Sequence, residues 1–137
     1  MIVGLGLDLA EIDRFRQALV RCGDRIERRI LTCAERAAVR GDRARYLASR
    51  FAAKEAAAKA LGTGIGEAVS WHSLEVVSTD SGRPELRLRG TAAALAHARG
   101  VVAVHLSLTH TREHAAAVVV LDRDTDGPTR GPSPSQA

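Results

Sequence analysis

The chain has 137 residues, of which 45% are hydrophobic and 26% charged, with 20 basic residues against 16 acidic ones. A chain of this length forms one domain and buries roughly two-thirds of its unfolded surface, so we expect one globular domain with a substantial core. No run approaches the ~18 apolar residues of a membrane helix. The four aromatic residues are too few to favour single-stranded nucleic acid binding by base stacking.

The N-terminus and the cysteines bear on cellular location. The first four residues carry neither a basic segment nor a hydrophobic signal-peptide core, and they lead directly into a strand pattern. Cys22 and Cys33 form no CxxC pair and have no neighbouring histidine, which argues against a zinc site or a disulfide-stabilised fold. The sequence therefore predicts a cytoplasmic protein with two reduced thiols.

Lysine is rare in this chain. The 20 basic residues are 18 arginines and two lysines, Lys54 and Lys59. Genomic base composition explains the scarcity, since alanine, another residue with GC-rich codons, occurs 24 times. It does not explain why both lysines lie in one hexapeptide.

The first predicted elements are a strand and a helix. Residues 3–9 alternate valine or leucine with glycine and aspartate, which indicates a half-buried strand whose other face lacks side chains until Asp8. Residues 11–20 carry apolar side chains at helical spacing, and Gly23 is expected to end this helix.

The remaining elements alternate irregularly between helix and strand, which indicates an α+β fold. They are an Ala-rich helix over 44–61 closed by Gly62, strands over 74–77 and 86–88 around a turn, a short helix capped by Thr91 and running to Arg99, and strands over 101–108 and 115–121. Residues 1–122 form the predicted domain. Residues 123–137 are rich in Pro, Gly and Ser and are predicted to be a disordered tail.

Two glycine clusters do not fit nucleotide-binding motifs. One lies within the predicted strand and the other, at residues 62–66, follows a helix, whereas a dinucleotide fingerprint places GxGxxG between strand and helix. The GxxxxGK[ST] phosphate loop does not occur either. Gly62 is expected to end the long helix whatever the function.

One face of the long helix carries groups suited to phosphate chemistry. At 100° per residue, Phe51, Glu55 and Lys59 share a face. Lys54 points about 100° away from Glu55. A carboxylate can bind Mg²⁺ together with phosphate oxygens and water, and a lysine one turn on can neutralise the same phosphate. Asp8 is a second candidate carboxylate, and the glycines before it would let a large ligand approach the strand.

The same spacing has ordinary structural explanations. A Glu–Lys pair at i,i+4 is a common helix-stabilising pair worth roughly 0.2–0.5 kcal/mol. Asp8 could also be the N-cap of the helix that begins near Ala10. Spacing alone therefore leaves both interpretations open.

Five segments in sequence order resemble the motifs of the holo-acyl-carrier-protein synthases, a family of small 4′-phosphopantetheinyl transferases. They are residues 4–14 (GLGLDLAEIDR), 30–35 (ILTCAE), 50–66 (RFAAKEAAAKALGTGIG), 82–84 (GRP) and 105–111 (HLSLTHT). The third is the most specific, and the similarity spans residues 2 to about 121. Five ordered motifs favour the functional interpretation of the helix face.

The resemblance implies a fold and a reaction. The fold is the α+β phosphopantetheinyl transferase fold, a small antiparallel sheet packed with one long and two or three shorter helices. The reaction is the magnesium-dependent transfer of 4′-phosphopantetheine from coenzyme A to a serine of apo-acyl carrier protein, which releases adenosine 3′,5′-bisphosphate. It would support fatty acid biosynthesis, with polyketide biosynthesis as the alternative. The serine proton would pass to a metal-bound water or to a carboxylate.

The resemblance also implies roles for residues by their position in the motifs. Asp8 and Glu55 are expected to bind magnesium, and Lys59 is expected to contact the α- and β-phosphates and to assist the leaving group. Lys54, on another face, is a candidate for contact with the carrier protein or the distal phosphate.

Further contacts with coenzyme A are implied at three places. Arg50, Thr109 and His110 are expected to contact its phosphates, including the 3′-phosphate. Glycines 62 and 64 would let the chain pass close to the ligand. Arg83 and Pro84 would flank the adenine.

The basic charge is concentrated in residues 14–50, which contain 11 arginines and four acidic residues, a net charge of +7. Acyl carrier proteins are acidic, so a basic face would steer their approach. The resemblance implies that Arg14, Arg21 and Arg25 bind the carrier. The arginines within residues 36–43 are interpreted as a solvated charged face.

The family resemblance also implies a homotrimer with active sites between subunits. We expect neither nucleic acid nor a membrane as a partner. Two other functions stay open on the residues alone. A small basic domain could bind nucleic acid electrostatically without needing Glu55 or magnesium, and a coenzyme A-binding protein without catalytic activity would leave carrier proteins unmodified.

Overall fold

The computed structural model describes residues 1–125 and has an α+β fold. Its elements are β1 (Ile2–Glu11), α1 (Ile12–Cys22), α2 (Asp24–Ile30), α3 (Cys33–Ala37), α4 (Arg43–Ala60), β2 (Leu74–Ser78), β3 (Pro84–Leu88), α5 (Gly90–Ala98), β4 (Val101–His110) and β5 (His114–Arg123). The predicted fold class is confirmed, and the described residues contain four helices shorter than α4 where two or three were expected. None of the helices in this part of the chain has the length and hydrophobicity to cross a bilayer.

The predicted element boundaries need small corrections. The strand β5 includes Arg123 and so passes the predicted domain end at 122, while the predicted tail from residue 126 onwards lies outside the described residues. The helix α5 begins at Gly90, so its N-cap residue is Arg89 and not the predicted Thr91. Asp8 lies inside β1, and α1 begins only at Ile12, so the interpretation of Asp8 as an N-cap is wrong.

The main sheet has the strand order β1-β5-β4, with all pairs antiparallel, and β2 pairs with β3 in a separate hairpin. The register of the main sheet places Asp8 opposite Ala117, and Ala117 opposite Leu108. Paired residues of an antiparallel sheet share a face, so these three side chains lie on the face against which α4 packs.

The glycines of β1 allow α4 to pack directly on the strand. A Cβ atom added at Gly6 would lie 1.7 Å from the carbonyl oxygen of Ala56, and one added at Gly4 would lie 2.3 Å from that of Ala60. The helix contributes small side chains to the same contact, since both alanines are buried. The prediction that these glycines admit a ligand is therefore wrong: the space is filled by the helix backbone.

The opposite face of β1 is apolar and exposed. Leu5, Leu7 and Leu9 are 65%, 66% and 65% exposed. Their partners on β5 include Val120 and Val118, which are half-buried. The predicted strand is confirmed, but residues 1–125 bury its glycine face and leave its leucine face exposed.

Lys54 is completely buried, at 0% exposure. Its Nζ atom donates hydrogen bonds to Glu35 Oε1 at 2.6 Å, to the carbonyl oxygen of Ile30 at 2.5 Å and to that of Trp71 at 3.0 Å. Burial lowers the pKa of Lys54, and the Glu35 carboxylate opposes that shift. The prediction that Lys54 reaches a carrier protein or a phosphate is wrong, because its ammonium group joins α4 to the second motif, residues 30–35.

Candidate active site

Asp8, Glu55 and Lys59 form a cluster beside β1. The Nζ atom of Lys59 donates to Asp8 Oδ1 at 3.1 Å and to the carbonyl oxygen of Leu7 at 3.0 Å. Glu55 lies one helical turn before Lys59, on the same face of α4. The structure therefore brings together the three residues that the sequence singled out.

The electrostatics of this cluster favour a bound cation. Asp8 Oδ2 is buried and has no hydrogen-bond partner within residues 1–125. Burial, and then the neighbouring Asp8 carboxylate, raise the pKa of Glu55, while Lys59 and Arg14 oppose the shift. Two carboxylates that repel each other, one with a free buried oxygen, are stabilised by a cation between them.

The donor set suits magnesium better than a transition metal. The described part of the chain contains no cluster of three or more His, Cys, Asp or Glu side chains that could hold a metal ion. Magnesium is commonly held by only one or two carboxylates, with substrate phosphates and water as its other ligands. Asp8 and Glu55 fit that pattern, and Lys59 supplies the positive charge in the ligand-free chain.

The glycine-rich loop begins at the C-terminal end of α4. Gly62 has a φ of +77°, and its amide donates to the carbonyl oxygen of Lys59 at 3.0 Å, so the predicted role of Gly62 in ending the helix is confirmed. The guanidinium group of Arg99, which the sequence did not indicate, donates to the carbonyl oxygen of Leu61. Gly64 faces open space.

A second basic site lies at the β4 edge of the sheet. It is a pocket of about 210 Å³, which we call the arginine pocket, lined by Arg40, Arg45, Tyr46, Ser49, Arg50, Leu108, Thr109 and His110. Arg50, Thr109 and His110, predicted from separate motifs, are thus brought together. Arg40 was interpreted as part of a solvated face and Arg45 was assigned no role, since only the fold brings their segment against β4.

The two sites lie beside different strands of the sheet. Asp8 lies on β1, at one edge of the sheet, whereas the arginine pocket is built on β4, at the other edge. Arg83 and Pro84 lie at the start of β3, where the carbonyl oxygen of Arg83 accepts from the Thr79 amide at 2.9 Å, and neither residue lines the arginine pocket.

A third feature is a groove of about 380 Å³ between α1, α2 and α4, which we call the basic groove. Its lining combines three arginines with an aromatic floor: Arg14, Arg21 and Arg29, with Phe15, Phe51 and Trp71 among the apolar residues. The ring centroids of Phe15 and Phe51 are 4.9 Å apart, and those of Phe51 and Trp71 are 5.2 Å apart. The groove thus presents both positive charge and apolar surface.

Two of the three arginines that the resemblance assigns to the carrier protein line the basic groove. Arg14 and Arg21 line it, but Arg25 does not, and Arg29 does. Gly23, whose φ is +58°, ends α1, and residues 24–30 form a separate helix, α2. Within α2, Arg29 lies three positions after Ile26, which also lines the groove, so the two side chains share a face.

Comparison with known proteins agrees with the motifs. A family model described as the 4′-phosphopantetheinyl transferase superfamily matches residues 4–119. The holo-[acyl-carrier-protein] synthase of Solidesulfovibrio magneticus is 54% identical over 122 residues, which cover 89% of this chain and 99% of the relative. That of Maridesulfovibrio salexigens is 46% identical over 124 residues, which cover 90% and 100%.

Solved structures extend the likeness to the fold. The holo-[acyl-carrier-protein] synthase from Neisseria meningitidis has a TM-score of 0.84 and 34% identity, covering 90% of this chain and 100% of that one. The enzyme from Bacillus anthracis, solved in complex with CoA (3′,5′-ADP), has a TM-score of 0.74 and 41% identity, covering 90% and 99%. By its motifs, its fold and its relatives, this chain belongs to the 4′-phosphopantetheinyl transferase superfamily.

Proposed function

We propose that this protein transfers 4′-phosphopantetheine from coenzyme A to a serine hydroxyl of apo-acyl carrier protein, with magnesium as its cofactor. The serine oxygen forms a bond to the β-phosphorus of coenzyme A, and the bond from that phosphorus to the bridging oxygen breaks. Adenosine 3′,5′-bisphosphate leaves with the electron pair of that bond, and the serine proton passes to a carboxylate or to water. The observation that carries this proposal is the Asp8–Glu55–Lys59 cluster, in which the buried Asp8 Oδ2 atom has no hydrogen-bond partner among the described residues.

Asp8 and Glu55 are the residues that would hold the magnesium ion. When bound, the ion would neutralise charge on the pyrophosphate of coenzyme A and on the leaving group. Lys59 is 53% exposed at its side chain and can turn from Asp8 towards the α- and β-phosphates, where its ammonium group stabilises the same charge.

We assign the arginine pocket to the phosphates of coenzyme A, including the 3′-phosphate. Arg50 and His110 were expected there, and Arg40 and Arg45 add two further positive charges. The Bacillus anthracis relative was solved with CoA (3′,5′-ADP), a ligand of the required chemistry. The remaining proposed contacts with coenzyme A are Gly62, Gly64, Arg83 and Pro84.

We propose that the active enzyme is a homotrimer whose sites lie between subunits. The Asp8–Glu55–Lys59 cluster lies beside β1 and the arginine pocket beside β4, the two edge strands of the sheet within the described residues. In the trimer, the cluster of one chain would face the arginine pocket of the next. The exposed leucine face of β1 offers the apolar surface for such an assembly. Multi-angle light scattering should give three times the chain mass, and Leu7→Arg should give the monomer mass and abolish transfer.

The basic groove is proposed as the docking site of the carrier protein. Its arginines would attract an acidic partner over long range, and its aromatic floor would bury apolar side chains of that partner. The guanidinium carbon of Arg14 lies 5.7 Å from the ring centroid of Phe51, and its charge opposes the rise in the pKa of Glu55. The groove therefore opens beside the Asp8–Glu55–Lys59 cluster.

We further propose a cytoplasmic role in fatty acid biosynthesis, with polyketide biosynthesis as the alternative.

One experiment tests the reaction against its rivals. The protein is incubated with coenzyme A, magnesium and an apo-acyl carrier protein, and the carrier is weighed by mass spectrometry. A gain of one phosphopantetheine is expected. Tight coenzyme A binding without a mass gain would favour a binding protein without catalytic activity, and affinity for generic DNA without either would favour a nucleic-acid-binding domain.

A further inference from the structure

Arg50 is held in the arginine pocket by contacts from within its own helix. Its guanidinium carbon lies 3.9 Å from the ring centroid of Tyr46, one turn earlier. One terminal nitrogen donates to Ser49 Oγ at 2.9 Å, and the Ser49 hydroxyl donates to the carbonyl oxygen of Tyr46 at 2.7 Å. The planar group is thus fixed by a stacked ring and by a hydrogen bond.

The ring of Tyr46 is itself anchored. Tyr46 is 8% exposed, and its hydroxyl donates to the carbonyl oxygen of Glu35 at 2.7 Å. Glu35 is held in turn by Lys54 Nζ at 2.6 Å and by the Val76 amide at 3.0 Å. The stacking surface under Arg50 therefore belongs to the rigid interior.

These contacts leave part of the guanidinium group without a partner. The Nε atom of Arg50 is buried and has no hydrogen-bond acceptor among the described residues. An unpaired buried donor costs free energy until an acceptor arrives. A phosphate accepts hydrogen bonds from two neighbouring guanidinium nitrogens at once, and the pocket around Arg50 is lined by three further basic side chains, those of Arg40, Arg45 and His110.

We propose that Tyr46, assisted by Ser49, is a positioning residue that fixes the guanidinium group of Arg50 for the 3′-phosphate of coenzyme A. This inference rests on the proposed function for the identity of the ligand. An arginine that is already oriented loses less conformational freedom when it binds. The face of the ring carries this effect, whereas the hydroxyl only anchors the ring.

The test compares adenosine 3′,5′-bisphosphate with adenosine 5′-monophosphate by calorimetry. Tyr46→Leu removes the stacking surface and should weaken binding of the bisphosphate about tenfold, with less than about twofold change for the monophosphate. Tyr46→Phe keeps the ring and should stay within about twofold of the unsubstituted protein for both. Ser49→Ala should weaken the bisphosphate alone, about threefold.

Leu86→Ala, which removes a buried side chain on β3, is the control for general loosening and should affect both nucleotides equally. Equal weakening of both nucleotides in Tyr46→Leu, or no weakening in either Tyr46→Leu or Ser49→Ala, would overturn the inference. If Tyr46→Leu does not fold, Ser49→Ala decides. Calorimetry needs no carrier protein, so a failure of group transfer would refute the proposed function while this binding test still gives its own answer.

Discussion

Lys59 and Asp8 form an ion pair, with 3.1 Å between Nζ and Oδ1, while Asp8 Oδ2 lies buried without a partner among residues 1–125. The lysine thus satisfies only one side of the carboxylate. Glu55, whose pKa is raised by burial and by Asp8, lies next to them. The cluster would be stabilised by a ligand that places positive charge near the carboxylates and negative charge near the lysine, as a magnesium–pyrophosphate pair does.

Asp8→Asn and Glu55→Gln should each lower the transfer rate at least about a hundredfold, because each removes a charged carboxylate proposed to bind magnesium. Rates are measured by carrier mass at increasing magnesium concentration. Glu67→Gln, on the exposed loop after α4, is the matched control and should keep its rate. A near-normal rate at low magnesium in either variant would refute the assignment of the ligands.

Glu55→Gln should also make the metal-free chain more stable. A raised carboxyl pKa means that the folded state holds the proton more tightly, so stability falls as pH rises from the usual glutamate value through the raised one. The Tm in a chelator should therefore be higher than that of the unsubstituted protein at neutral pH. The difference should shrink at pH values below the usual glutamate pKa. A lower Tm at neutral pH would contradict this account.

Lys54→Met should destabilise the chain by about 3–5 kcal/mol, because it leaves the Glu35 carboxylate buried without its ammonium partner. Urea unfolding measures the loss. Lys59→Met replaces the half-exposed lysine of the same helix and should cost clearly less, because the ammonium group that it removes is partly in water whereas that of Lys54 is completely buried. A similar loss of unfolding free energy in both variants would show that the Lys54–Glu35 pair contributes no more to stability than the Lys59–Asp8 pair.

Gly6→Ala should destabilise the fold by about 3 kcal/mol or more, since the added methyl group meets the α4 backbone at Ala56. Gly64→Ala adds the same methyl group in open space and should leave the Tm unchanged. Circular dichroism melts of the two variants give the comparison. An unchanged Tm in Gly6→Ala would mean that α4 does not pack so closely on β1.

Arg21→Ala and Arg29→Ala should each raise the KM for the carrier protein about threefold and leave kcat unchanged. Their effect should fade as salt rises. Arg25→Ala should have a smaller effect, because Arg25 does not line the basic groove. A larger effect of Arg25 than of Arg29 would restore the assignment made from the sequence.

The sequence was sufficient for the parts of the site that lie within one helix. Glu55 and Lys59 share a face because α4 is regular, and the strong pattern of residues 50–66 identifies the family. Helical spacing also separated Lys54 from Glu55, but it could not show that Lys54 points into the core, because the Glu35 carboxylate that pairs with it comes from another segment.

The other differences arise from contacts between distant segments. An alternating strand does not reveal which face a helix will cover, so the pattern of β1 predicts a ligand site where the glycines are a packing surface. Likewise, Arg45 and His110 line the same pocket only because β4 runs beside α4, and no local pattern in residues 40–50 indicates this.

The exposed leucines of β1 affect how the protein folds and assembles. Among the described residues, β1 is an edge strand with an exposed apolar face, and such a surface is open to non-specific association unless it is covered. If that covering surface is the homotrimer proposed above, folding and assembly are one equilibrium, and the amount of native protein depends on how much of the chain is present. Dilution alone would then shift this protein towards the unfolded chain.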